Sequence, residues 1–374
     1  MTPRIEILDA QSIDRFTALS EPTADPASRY VASLVTGGAR RYVDNVDVDV
    51  KVLIVDGTVL PLLVSERAGS NADVCSPYAH YIEYTLEGLA KRHRHVPPQL
   101  FKALLWPLAA VLKTGRIDRV VFVNNWLLTT NPRLNLTYEQ VRELTARLVE
   151  MCPESAIVFR SMNAHTDEAA LLTLRQNRYR LVRSRRIYLL DPTTVHYLDH
   201  YNSQWDRRFL ARTPYRVVRD HEALAAHVPR LTALYRDLYL DRHSRLNPHF
   251  NERFFALTLE EKTLTYRALE QDGRVDGFVA YFADDRVMTG TLLGYDLALP
   301  QKRGLYRLLI ALLTAEAAEA RLLLNLGGGT GHFKLLRGAM PAEEFDAVYD
   351  AHLPPHRRFS WTLLLTAAHL WSQV

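Results

Sequence analysis

The spacing of apolar and polar positions divides the chain into two runs of similar make-up. In the first, residues 47–55 (Asp-Val-Asp-Val-Lys-Val-Leu-Ile-Val) alternate with period two and predict a strand. Asp56-Gly57 predicts a hairpin turn, and residues 59–64 the returning strand. Residues 81–113 carry helical spacing interrupted by Pro97, Pro98 and Pro107. A buried strand follows over 119–126. Thr137 with Gln140 three positions on has the chemistry of a capping box and predicts a helix to about Met151. A strand over 156–160, a helix over 167–176 and a strand over 179–190 complete the run, which Asp191-Pro192 ends. Residues 1–40 read as a loose lead-in with turn signals.

After a linker over 192–214, the second run opens with helical spacing over 222–239 and a short helix over 251–257. Strands over 264–270, 275–282 and 287–295 are separated by the turns at 271–274 and 283–285. A Leu- and Ala-rich helix (305–320), a strand (322–326), a short helix (331–336) and a strand (345–353) follow. Both runs share one order of elements: hairpin or meander, helix, strand, helix, closing strand. That order predicts an α/β chain built by internal duplication, with domains over 1–191 and 192–374. Each domain is expected to hold a central mixed sheet flanked by helices. A last apolar helix, 363–371, is expected to pack back on the second domain, because it lacks the Lys/Arg-rich polar face of a membrane-surface helix.

Composition fits this division. A chain of 374 residues, 48% apolar and 24% charged, is long enough for two cores. No apolar run follows the N-terminus and none reaches the length of a membrane span, so neither a signal peptide nor a transmembrane helix is expected. The cysteines, Cys75 and Cys152, make no disulfide framework and no zinc spacing, so no metal is expected and a reducing cytoplasm is the simplest setting. A net charge of +4 suits an anionic partner such as a nucleotide cofactor without arguing for nucleic acid. The arginines crowded between Arg175 and Arg219 read as solvated faces, or else as a surface for a polyanion.

The chemistry concentrates where the strand over 287–295 meets the helix over 305–320. Between them stand Gln301, Lys302, Arg303 and Gly304. A short loop before a helix N-terminus points backbone N–H groups outward and adds about half a positive charge, the makings of a pyrophosphate site. Gly304 would permit close approach, and Lys302 and Arg303 would add charge. An ordinary strand-to-helix turn with a glycine has the same spacing. The first half has no such loop: Asn124 to Arg133 contains no glycine before the helix at Thr137.

Gln301-Lys302-Arg303-Gly304-Leu305-Tyr306 resembles the Q/R-x-x-G-x-G/A loop of the GNAT acetyltransferases, which binds the pyrophosphate of coenzyme A. Tyr306 departs from it, standing where that family usually has Gly or Ala. Leu322 to Gly329, followed by Gly331-His332-Phe333-Lys334 and Gly338-Ala339, is similar to the end of the Fem-type peptidyltransferases, which are tandem GNAT-like proteins. The resemblance covers about residues 200–355. It implies tandem GNAT-like domains, the first without a donor site. It implies no permanently bound cofactor and an acyl-CoA co-substrate, or alternatively an acyl-carrier protein or an aminoacyl-tRNA. Gln301 to Tyr306 and Phe333 would then hold the donor, and Lys334 would stabilise a carbonyl or phosphate charge.

Acylation of an amine needs a polarised carbonyl, a neutral amine and a protonated leaving group. Tyr295, Asp296 and His332 stand at the end of the fold where those groups would act. Asp241, Arg242 and His243, in a polar and aromatic stretch after the first helix of the second half, are candidates to hold a small-molecule or peptide amine acceptor. Tyr78, His80, Tyr81 and Glu83 are a further acceptor candidate, or an ordinary edge strand. A non-catalytic binding protein on a degenerate fold of this kind is the reading from a different class.

Overall fold

The computed structural model of the chain describes residues 3–13, 25–66 and 71–371. From the N-terminus come β1 (Ile5–Leu8), α1 (Pro26–Gly37), β2 (Asp49–Val55), β3 (Thr58–Ser65), α2 (Tyr84–Arg92) and α3 (Pro98–Thr114). Then follow β4 (Val120–Val123), α4 (Tyr138–Met151), β5 (Ala156–Asn163), α5 (Glu168–Gln176) and β6 (Arg180–Leu190). The helices α6 (Val195–Asp199) and α7 (Tyr201–Ala211) precede β7 (Arg216–Val218), α8 (His221–Ala225), α9 (Val228–Tyr235) and α10 (Glu252–Glu260). The chain continues as β8 (Thr265–Gln271), β9 (Arg274–Ala283), β10 (Val287–Tyr295), α11 (Leu305–Ala320), β11 (Leu323–Asn325) and α12 (Gly331–Leu335). It ends with β12 (Met340–Tyr349) and α13 (Pro355–Trp371).

These elements form two compact units. One comprises Met1–Ser184, Ser244–His249 and Glu344–Val374; the other comprises Arg185–His243 and Phe250–Glu343. In the first, β1 to β4 form an antiparallel meander, β4 and β5 run parallel with α4 as crossover, and β12 closes on β5 antiparallel. In the second, β7 to β10 are antiparallel, β10 and β11 run parallel with α11 as crossover, and β6 closes on β11 antiparallel. The strands of the two units repeat one plan, as the order of elements predicts. The closing strands are exchanged, however: β6 ends the first half of the sequence but pairs with β11, and β12, near the end of the second half, pairs with β5. The changeover therefore falls inside β6 and β12, whereas the sequence boundary was drawn at 191/192.

Each unit has its own core. The first packs Leu53, Leu62, Val121 and Ile157 from the sheet against Val141, Leu144 and Leu148 of α4. The second packs Leu269, Val279 and Met288 against Leu305, Leu308, Leu309 and Leu312 of α11. Thr137 caps α4, with Gln140 completing the reciprocal box. Gly294 admits α9 against the sheet, since a Cβ there would lie 2.9 Å from the Leu234 backbone.

Four expectations are corrected. The lead-in over 1–40 holds β1 and α1, whose N-cap Asp25 accepts from Ser28; residues 14–24 lie outside the described residues. The linker over 192–214 contains α6 and α7. The fully buried side chains of α7 are the polar Ser203 and Asp206, so it leaves no apolar period to read. The last strand starts at Met340, not 345. The last helix starts at Pro355 and belongs to the first unit, where Arg357 donates to the carbonyls of Gly115, Glu154 and Arg116 and buried Ser360 to that of Val111. Those are polar anchors, invisible to hydrophobic spacing.

Replacing Thr137 by Ala removes the acceptor for the N3 amide of α4 and should cost about 1 kcal/mol. Urea denaturation followed by circular dichroism measures it, and an unchanged midpoint would show the cap contributes nothing.

Candidate functional site

In the second unit the parallel pair β10–β11 is short. Val287, Met288 and Thr289 pair with Leu323, Leu324 and Asn325, and there the pairing stops while β10 runs on to Tyr295. The register of β10 against β9 also shifts between Gly290 and Leu292, the mark of a bulge at Thr291. The ladder therefore opens between the C-terminal end of β10 and the chain leaving β11. The N-terminus of α11 stands beside it. Gly304, at φ 64°, turns the chain from the short 3-10 turn Gln301–Arg303 into this 16-residue helix.

Three aromatic rings meet at that end. Tyr306 lies 6.2 Å from Tyr295 and 5.0 Å, edge-on, from Phe333. The Tyr306 hydroxyl is 2.6 Å from Thr330 Oγ1, which ties the first turn of α11 to the turn after β11. Burial raises the Tyr306 hydroxyl above its ordinary pKa.

The turn after β11 is held from inside by Lys334 of α12. Its side chain is buried, and Nζ donates to the carbonyls of Leu326, Gly327 and Gly328 at 2.8, 3.0 and 2.5 Å. It also lies 5.3 Å from the centre of the Tyr188 ring. Burial, with Arg185 nearby, pushes the ammonium pKa down to about 7. Three carbonyls facing one cation fix the turn, and Gly327 and Gly329, at φ 65° and 67°, supply backbone that other residues adopt at a cost. Gly331 is as constrained: a Cβ there would fall 2.0 Å from the Tyr188 hydroxyl.

A second anchor is Asp206 of α7. Its carboxylate takes Arg337 through Nε and Nη2, and Arg307 of α11 at 3.2 Å. Arg337 also donates to the Phe333 carbonyl at 2.8 Å and lies over the Phe333 ring. Sequence reasoning missed Asp206, Arg337 and Tyr188. Arg337 lay inside the segment that carried the resemblance, whereas Asp206 sat in a stretch read as linker.

The predicted residues separate into two groups. Tyr295, Gly304, Leu305, Tyr306 and Phe333 gather at the opening, and Lys334 lies behind the glycine turn. His332 is exposed. Asp296 takes Arg230 and Arg274 on Oδ2 and the Ala298 amide on Oδ1. Partial burial opposes its ionisation, but Arg230, that amide and Arg274 hold its carboxyl below the usual range. Gln301, Lys302 and Arg303 are exposed, with Arg303 Nη1 on Gln271 Oε1 at 3.2 Å. Phe209 of α7 packs on Gly304, 2.8 Å from where a Cβ would stand. Asp241, Arg242 and His243 are exposed at the end of the wide helical turn Arg236–His243.

Tyr78, His80, Tyr81 and Glu83 are not on an edge strand. They open a helical segment of the first unit that runs into α2. His80 Nε2 lies 2.8 Å from Ser184 Oγ, and the Tyr81 hydroxyl donates to Asp346 at 2.9 Å, so these side chains bind that unit's own strands. Many of the arginines over 175–219 are ion-paired: Arg180 with Asp350, Arg186 with Glu343, Arg216 with Glu270 and Arg219 with Glu316. Among the described residues no His, Cys, Asp or Glu group could hold a metal ion, and no helix is long and apolar enough to cross a membrane.

Residues 196–335 match the family model described as an acetyltransferase (GNAT) domain. The chain shares the fold of FemX, at 10% identity and a TM-score of 0.51, over 92% of this chain and 96% of that one. A conserved protein of unknown function from Bacteroides thetaiotaomicron is similar at 12% identity and a TM-score of 0.49, over 92% and 99% of the two chains. A tandem GNAT protein from the clavulanic acid biosynthesis pathway matches at 11% identity and a TM-score of 0.38, over 94% and 99%. No curated protein is matched. Residues 196–335 thus match a GNAT domain model, and the chain as a whole shares the fold of FemX, in line with the resemblance of its motifs.

The depressed Lys334 pKa makes stability pH-dependent. Its folded value, about 7, lies below the ordinary 10.5. Between those values the unfolded chain binds more protons, so the stability contributed by this group rises with pH across that window. The urea midpoint of the wild type minus that of Lys334→Met should therefore increase between about pH 7 and pH 10. A flat difference would mean that Lys334 titrates normally.

Proposed function

We propose that this chain is an N-acyltransferase that moves an acyl group from an activated donor to an amine acceptor such as an amino acid or peptide. The observation that carries this reading is the opening where β10 leaves β11, with the first turn of α11 on one side and the Lys334-held turn on the other. The donor carbonyl would lie there, against the backbone of the bulge in β10. The amine attacks it, a C–N bond forms, and the bond from the carbonyl carbon to the leaving group breaks. The amine releases one proton, and the leaving thiolate or alkoxide takes one up. Backbone polarisation of the carbonyl and proximity supply most of the acceleration. Asp296 is occupied by two guanidiniums, which leaves water or exposed His332 to take the amine proton. Lys334 acts by fixing the turn, since its ammonium is engaged by carbonyls.

An acyl-CoA or carrier thioester is the donor that the Gln301–Gly304 turn supports. The first amides of α11 favour an anion, and exposed Lys302 adds charge. One observation favours the second donor, an aminoacyl-tRNA: Tyr306 bridges to Thr330, and Phe209 packs on Gly304. Both rings occupy space that a pantetheine arm and pyrophosphate would use. An ester donor entering by its acyl end alone needs less of that space.

Thermal unfolding with CoA, acetyl-CoA and a long-chain acyl-CoA separates the donors. A ligand at about 100 times its Kd stabilises by about 2.7 kcal/mol, a shift of several degrees. With a thioester donor the wild type shifts and Lys302→Glu needs several-fold more ligand. With an ester donor the wild type does not shift, Tyr306→Ala gains CoA binding, and charged tRNA binds in a salt-dependent way. Stabilisation by no donor of either kind, with no amine acylated, would overturn the reading.

A further inference from the structure

The helix α3 carries two apolar stripes, and only one is used. Phe101, Leu105, Leu108 and Leu112 follow helical spacing, and Leu105 and Leu112 are fully buried. The stripe on the other side, Leu100, Ala103, Leu104 and Pro107, has the i, i+3, i+4, i+7 spacing of a packed face yet stands exposed. Trp106 borders it. Leu100 is 60%, Leu104 74% and Trp106 68% exposed, a concentration of large apolar groups at one place that a solvated helix does not need.

The segment that carries this stripe has charge of one sign. From Gly88 to Ile117 the sequence contains no Asp or Glu, but it contains six Lys and Arg residues and two His. Arg92 at the end of α2, Arg94 and His95 in the connection after it, and Lys102, on the flank of α3 beyond Trp106, are all exposed. The apolar face and the basic rim therefore belong to one surface of the first unit.

We propose that this face of α3, with the basic α2–α3 connection, docks on an anionic phospholipid surface. Leu100, Leu104 and Trp106 would enter the acyl boundary, and Arg92, Arg94 and Lys102 would meet the headgroup phosphates. Leucine and tryptophan on one side with cations at the rim is the combination that an interfacial helix requires. A second copy of the chain fits worse, because a two-fold contact would bring the same cations together. A nucleic acid would pair with the cations but leave the leucines in water. The inference does not depend on the acyl-transfer reading, since it concerns a surface of the other unit.

Co-sedimentation with vesicles tests it, using phosphatidylcholine alone and phosphatidylcholine with about one third phosphatidylglycerol. The wild-type chain should bind the anionic vesicles at least about tenfold more tightly, and less at high salt. Arg92→Glu with Arg94→Glu should lose at least about fivefold per residue changed. Leu104→Ser with Trp106→Ser should lose about tenfold or more on the same vesicles. Circular dichroism and melting midpoints unchanged from wild type keep misfolding out of the comparison. Failure of the wild type to bind anionic vesicles would overturn the proposal, as would undiminished binding by either variant. Self-association of the wild type, abolished by Leu104→Ser with Trp106→Ser and unaffected by lipid, would assign the face to a second copy and also overturn it.

Discussion

One buried cation fixes the geometry on which the second unit's opening depends. Lys334 reaches from α12 into the glycine turn and donates to three carbonyls, of which that of Gly327 also takes the Tyr188 amide. A buried carbonyl left unpaired, such as that of Leu326, would cost about 1–3 kcal/mol. The turn so held presents Thr330, at φ 45°, to the Tyr306 hydroxyl, and Tyr306 stands at the start of α11. A single ammonium thereby fixes the distance between the crossover helix and the chain beyond β11. Glycines in the turn are required by the same arrangement, because the carbonyls converge only where the backbone adopts positive φ.

The Asp206 carboxylate works alongside. It binds Arg337, which follows α12, and Arg307, which belongs to α11. Two guanidiniums on one buried carboxylate make α7 a strut between those segments. This explains why a helix with so few buried apolar residues is ordered. It also explains why Phe209 of α7 lies against Gly304: the strut that steadies α11 covers part of the turn that the sequence marked for phosphate.

Much of the secondary structure was legible. The strand Val287–Tyr295 and the helix Leu305–Ala320 fall on the spans predicted for them, and Thr137 and Gln140 form their capping box. These elements bury apolar stripes or satisfy local caps, and both signals are written within a few residues. The grouping of Tyr295, Tyr306 and Phe333 was also legible, because their positions at the ends of β10, α11 and α12 follow from element order. What escaped were features held by polar contacts over long sequence distances: α7, through Asp206, and the first turn of α13, through Arg357. The segment Tyr78 to Glu83 was left open between an acceptor site and an edge strand, because alternating aromatic and polar residues suit a strand as well as a wide helical turn.

The sequence alone determined the two repeated runs, the mixed α/β sheets and the glycine-marked turns, because hydrophobic period and turn chemistry are local. It determined too the charge asymmetry of residues 88–117, which is composition and nothing more. Only the tertiary structure decided that β6 pairs with β11 and β12 with β5, since strand partners are chosen by edges that meet in space. Only the structure decided that Lys334 points inward to carbonyls and that Asp296 is neutralised by Arg230 and Arg274. It alone decided which of the two apolar stripes on α3 is buried. A side chain's type fixes what it can bind, but its neighbours fix whether that capacity is spent inside the fold or left for a partner.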